Sequence, residues 1–85
     1  MDNKVIKIGL LGLGTVGTGV YKLIGRRSDE MEQKIGANLE IEKILVHNLK
    51  KTRHGIEQSL LTDRWEDIIG NEEIRIVIEA MGGIE

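Results

Sequence analysis

Apolar residues along the chain fall into three short runs separated by polar stretches. The first, "KVIKIGLL" over residues 4–11, sets Val5, Ile6, Ile8, Leu10 and Leu11 close together with little alternation. That density predicts a strand covered on both faces. From Thr15 to about Ile24 the period changes: Val16, Val20, Leu23 and Ile24 recur at spacings of 3 and 4, as on one face of a helix. "GRRS" at 25–28 interrupts it, with Arg26 and Arg27 suited to the negative end of a helix dipole. Ser28 then serves as a cap for a second helix, with Asp29 and Glu30 in its first turn, running to about Ile35 and stopped by Gly36. The second strand, "LEIEKILV" at 39–46, mixes Leu39, Ile41 and Ile44 with Glu40, Glu42 and Lys43, so one face or edge is wet. Residues 47–62 are polar and irregular in pattern, and Asp63 is placed to cap a short helix, "RWEDIIG", ended by Gly70. "IRIVIEA" at 74–80 is the third strand, followed by "MGGIE".

The resulting order, β-α-β-α-β, predicts an α/β unit: a three-stranded parallel sheet with right-handed crossover helices on its faces. The first strand is the most apolar and is expected to be central, with the two charged strands flanking it. Three strands leave two open edges, and exposed edges invite pairing between chains, so self-association through them, or a third strand that is frayed or displaced, is expected.

Composition narrows the function classes. A chain of 85 residues is one small domain or part of a larger one. It has no cysteine, which excludes disulfides, a thiolate metal site and a thiolate nucleophile and is compatible with a cytoplasmic location. Net charge is −2 with 31% charged residues, so there is no general pull toward nucleic acid. One Trp, one Tyr and no Phe leave no aromatic platform for single strands. No apolar run approaches the length of a membrane span, and the first residues are too polar for a signal peptide.

Candidate chemistry concentrates in "KIGLLGLGTVGTGVYKLI", where Gly12, Gly14 and Gly17 form G-x-G-x-x-G. With 11 glycines in the chain the triplet alone is a weak signal, but here it follows a strand and opens a helix. In that setting Gly12 permits the tight turn, Gly14 lets a pyrophosphate approach the backbone, and Gly17 lets helix and strand pack closely. The N–H groups from Leu13 to Gly17 would face the phosphates at the positive helix end. This makes the unit a partial Rossmann-type βαβαβ fold and a candidate dinucleotide site. The competing view is that the glycines serve packing alone.

An NAD site usually places an acidic residue at the end of the second strand, on the ribose 2′-OH. Here that strand runs into "LVHNLKKTRH", which has no carboxylate but carries His47, Asn48, Lys50, Lys51, Arg53 and His54. Lys and Arg attract a 2′-phosphate, which favours NADP over NAD, against the plainer reading of a solvated basic loop. His47, directly after the strand, is the foremost contact; His47 and His54 lack further ligands for a metal. Glu79 ends the third strand as a buried acid bonded to loop N–H groups or as an edge charge. Gly82 and Gly83 would let the following loop pass close to a cofactor. Trp65 reads as a core anchor rather than a cofactor stack.

Taken together, "IKIGLLGLGTVGTGVYKLI", "ILVHNLKKTR" and "LTDRWEDIIGNEEIRIVIEAMGGIE" resemble the N-terminal region of homoserine dehydrogenase, and the likeness covers nearly the whole chain. The resemblance implies NAD(P)-dependent interconversion of L-homoserine and aspartate 4-semialdehyde, in the threonine and methionine branches of amino-acid biosynthesis. By position it assigns Gly12, Leu13, Gly14, Thr15, Val16 and Gly17 to the pyrophosphate, Lys51 and Arg53 to the basic loop, and Gly82 and Gly83 to the loop near ribose and nicotinamide. Where that family usually has Arg-Asp, this chain has His47-Asn48. Residues that act on the substrate lie in a later domain of the family, so no catalytic residue is assigned. Residues 1–85 are read as an N-terminal fragment of a dinucleotide-binding domain, inactive alone, with substrate bound only by the longer protein. A reading of a different class is a non-catalytic nucleotide-binding sensor or regulatory module.

Overall fold

A computed structural model describes residues 4–51 and 53–81. Four strands, β1 (Lys4–Leu11), β2 (Ala37–Leu45), β3 (Leu61–Thr62) and β4 (Ile74–Glu79), form one sheet in the order β3-β2-β1-β4. All three pairings are parallel. The chain steps outward from β1 to β2 and β3, then crosses to the opposite side of β1 for β4. As its apolar run predicts, β1 is internal, and its last four residues, Ile8 to Leu11, are buried.

Among the described residues the sheet has four strands, not three. Leu61 and Thr62 pair with Ile44 and Leu45, so β2 is flanked on its outer side rather than forming an edge. Two residues show no period, and the polar run before them hides the strand. A single 3-10 turn, Gln58–Leu60, delivers the chain into it.

One long helix, α1 (Thr15–Ile35), replaces the two expected, but the expected break survives inside it as a kink at Arg27, where φ is −113° and ψ 18°. The kink falls within "GRRS", a Gly/Ser-bounded segment of the kind that bends helices. The Ser28 cap expected there falls on a side chain outside those described. Gly36 ends α1 in the left-handed region, with φ 69°, and its N–H donates to the Glu32 carbonyl at 2.9 Å.

The core-facing seam of α1 differs from the expected one. Gly17 and Ile24 are buried and Val20 and Tyr21 pack on the core, whereas Val16 and Leu23 are exposed. The packed positions follow i, i+3, i+4, i+7 from Gly17, so the closest contact of helix and strand sets the helix rotation. Leu10, Ile44, Val46, Leu61 and Ala80 form the buried cluster beneath. A second helix, α2 (Glu66–Ile69), anchors through buried Ile68.

Candidate functional site

Because every strand is parallel, the four carboxyl ends lie along one margin of the sheet. Open α/β sheets bind ligands there, where successive connections leave in opposite directions. That point lies between β1 and β4. Backbone bonds carry the sheet past its formal ends: Gly12 N–H donates to the Leu45 carbonyl at 2.9 Å, Val46 N–H to Thr62 at 2.8 Å and Ala80 N–H to Leu11 at 2.8 Å. A cleft of about 990 Å³ opens over this margin.

The three glycines have separate physical tasks. Gly12 has φ +100°, and a Cβ there would press on Met81, 2.9 Å from its Cγ and 3.0 Å from its Cα. A Cβ on Gly17 would fall against the Gly12 carbonyl oxygen, so only glycine allows α1 to start this close to the turn. A Cβ on Gly14 would meet none of the described residues within 4 Å. Gly14 therefore answers to no packing demand among the described residues. It is also the N-cap of α1, which has no side-chain cap and no acidic residue in its first turn. Among the described residues, the first N–H groups of a long helix thus have no side-chain acceptor, and no acid of the first turn offsets the positive dipole end. That arrangement fits a pyrophosphate. The Thr18 hydroxyl braces the turn by donating to the Leu13 carbonyl at 3.2 Å.

The cleft brings together Gly12, Leu13 and Gly14 with His47, Asn48, Lys51 and Arg53. Thr15 and Val16 are exposed at the first turn of α1 but do not line it, and Gly17 is buried in the packing contact. Gly82 and Gly83 lie outside the described residues. The basic loop is internally built. Lys50 N–H donates to Asn48 Oδ1 at 2.9 Å, and Arg53 Nη1 donates to the Asn48 and Lys51 carbonyls at 3.0 and 3.3 Å. Asn48 thus shapes the loop, and Arg53 holds it while its remaining donors lie outside those two bonds.

Five cleft residues are not marked as site residues by the sequence: Leu45 and Val46 at the end of β2, and Asp63, Trp65 and Met81. Asp63 does not cap α2. The N-cap is Trp65, with no side-chain cap; Thr62 instead braces the turn before the helix, its hydroxyl accepting from Arg64 N–H at 3.0 Å and donating to Asp67 Oδ2 at 2.6 Å. Trp65 is not a core anchor: it is 48% exposed on the cleft wall. The one available signal was its place directly beyond a strand end, which required knowing that Leu61–Thr62 is a strand. Glu79 is exposed, so of its two readings the edge charge holds.

Fold and cleft define a dinucleotide-binding α/β domain. Residues 12–85 match the family model described as "Homoserine dehydrogenase, NAD binding domain", and the chain belongs to that family. It is 41% identical over 83 residues to homoserine dehydrogenase of Bacillus subtilis, covering 96% of this chain and 19% of that protein. Against the Corynebacterium glutamicum homoserine dehydrogenase identity is 42% over 80 residues, covering 94% and 18%. A crystal structure of S. aureus homoserine dehydrogenase superposes with a TM-score of 0.89 at 38% identity, covering 99% of this chain and 21% of that one. The chain therefore spans about a fifth of the length of the relatives it matches.

Proposed function

We propose that this chain is the cofactor-binding part of a homoserine dehydrogenase. Such an enzyme oxidises the primary alcohol of L-homoserine to aspartate 4-semialdehyde, passing a hydride to NAD(P)+ and releasing a proton. The observation that carries the reading is Gly14, where a Cβ would meet no described residue, at a helix N-terminus without a side-chain cap and at the crossing point of a parallel sheet. Gly12, Leu13, Gly14, Thr15, Val16 and Gly17 hold the pyrophosphate turn, and Gly82 and Gly83 are assigned to the far side of the cofactor by the resemblance alone. The chain binds nucleotide and leaves the reaction to residues of a longer protein.

NADP is the favoured cofactor. Lys51 and Arg53 share the cleft with His47 beyond β2, where a 2′-phosphate would sit. Asp63 on the same cleft supports a second reading, use of NAD, because its carboxylate accepts from a ribose hydroxyl and repels a 2′-phosphate. Amide NMR titration with NADPH and with NADH separates them. Shifts at Gly12 to Gly17 with both ligands, and further shifts at His47 to Arg53 with NADPH, support the proposal. Shifts with NADH alone remove the NADP preference, and no shifts in a folded sample remove cofactor binding. A sensor module binds the same ligands but leaves homoserine unoxidised in any longer form.

Self-association is a further part of the proposal. The edge strand β4 exposes Ile76 and Val77 at 42% and 44%. Sedimentation that stays monomeric at all concentrations, with full amide protection of residues 74–79, argues against it.

A further inference from the structure

We propose that Trp65 is the stacking wall for the purine base of the dinucleotide, an inference that rests on the cofactor reading above. The indole is the largest apolar side chain of the protein, yet it stays 48% exposed and lines the cleft. Its place in the fold decides which end of the ligand it meets. The pyrophosphate belongs at Gly14 and the start of α1. One ribose then lies over the end of β2, and its base extends to the next strand outward, away from β4. The sheet order β3-β2-β1-β4 makes that strand β3, and Trp65 stands three residues beyond its end. Nicotinamide goes the other way, over the β1–β4 side.

The platform under the indole is held firmly. The Trp65 carbonyl accepts from Ile68 N–H and Ile69 N–H, both at 3.0 Å. Ile68 is 2% exposed, and Thr62 ties the same turn through Asp67 at 2.6 Å. A flat ring on a pinned turn suits a flat base, which has an aromatic face whatever its edge pattern. Around it the cleft is lined by His47, Asn48, Lys51, Arg53 and Asp63, which supply charge and hydrogen bonds, and by the aliphatic Leu45 and Val46 at the end of β2.

The protein has one tryptophan, so its emission reports on this site alone. The test titrates the 85-residue chain with ADP-ribose and, separately, with nicotinamide mononucleotide, following emission and heat in parallel. ADP-ribose is expected to quench the emission and nicotinamide mononucleotide to leave it unchanged. Trp65→Ala should weaken ADP-ribose binding by about tenfold, and Trp65→Phe should keep most of it, with circular dichroism unaltered in both. Heat of ADP-ribose binding with unchanged emission overturns the stacking role, as does undiminished binding by Trp65→Ala. No heat from either ligand or from NADP+ means that the cofactor site itself fails, and the stacking role falls with it.

Discussion

Gly14 and Gly17 sit three positions apart in one motif and are separated by what a single methyl group would touch. Adding Cβ at Gly17 drives it into the backbone carbonyl of Gly12, which cannot turn aside as a side chain would. Gly17→Ala should destabilise the fold by about 1–3 kcal/mol, read from urea unfolding. Adding Cβ at Gly14 meets no described residue within 4 Å. Gly14→Ala should leave the urea midpoint nearly unmoved and yet weaken NADP+ binding at least tenfold, since the methyl occupies the space above the first helical N–H groups. If Gly14→Ala binds NADP+ as well as the parent chain, the pyrophosphate is not held where this structure leaves room for it. Trp65 carries the same lesson in reverse. Its size argued for burial, but burial depends on neighbours, and its neighbours form the wall of a cleft.

Elements are positioned by a few contacts at their ends. Strand β3 is only two residues long, and Thr62 does double work there. Its backbone carbonyl takes the Val46 N–H at 2.8 Å, while its hydroxyl joins Arg64 N–H to the Asp67 carboxylate. At 5% exposure these groups have little access to water. Thr62→Val keeps shape and volume but strands both partners, at an expected cost of about 1–3 kcal/mol in urea unfolding. The same variant should loosen the turn that carries Trp65, visible as faster amide exchange at Ile68 and Ile69. An unchanged exchange rate at those amides would show that Ile68 packing alone holds α2. In α1 the governing contact is likewise terminal: Gly17 against the turn rotates the helix so that Val20 and Ile24 face inward and Val16 and Leu23 face out.

Across the whole molecule the two margins of the sheet have different jobs. The carboxyl ends form the cleft, while farther back Lys7 bridges two strands and a loop, 2.8 Å from Glu73 and 3.5 Å from Glu42. The hydrogen bond to Glu73 is the main reason that Lys7 titrates above its ordinary 10.5, with the Glu42 charge next. The same bond holds the Glu73 carboxyl below its ordinary 4.5. A lowered carboxyl stabilises the fold above its unfolded value, and that increment is lost as pH falls through the folded one. A raised lysine stabilises below its unfolded value and loses the increment as pH rises through the folded one. Stability should therefore decline slightly below pH 4.5 and above pH 10.5, and Lys7→Met should flatten both declines. The groups are exposed and screened, so the effect is small, and salt should reduce it. Urea midpoints measured across pH for both proteins test this; identical profiles would remove the bridge from the account.

The sequence by itself determined the alternation of strands and helices, the central place of β1 and the glycine turn between strand and helix. Those features rest on local matters: unbroken apolar runs, a change of period and residues without Cβ. It determined the stop at Gly36, and it marked the break in α1 that the structure keeps as a kink at Arg27. Only the tertiary structure decided that Leu61 and Thr62 are a strand, because two residues become one by finding Ile44 and Leu45 beside them. That pairing in turn brought Asp63 and Trp65 into the cleft opposite the glycine turn, about fifty positions away along the chain. Which residues face one another across a ligand follows from the places of the outer strands, and those are set by long-range packing that no local pattern records.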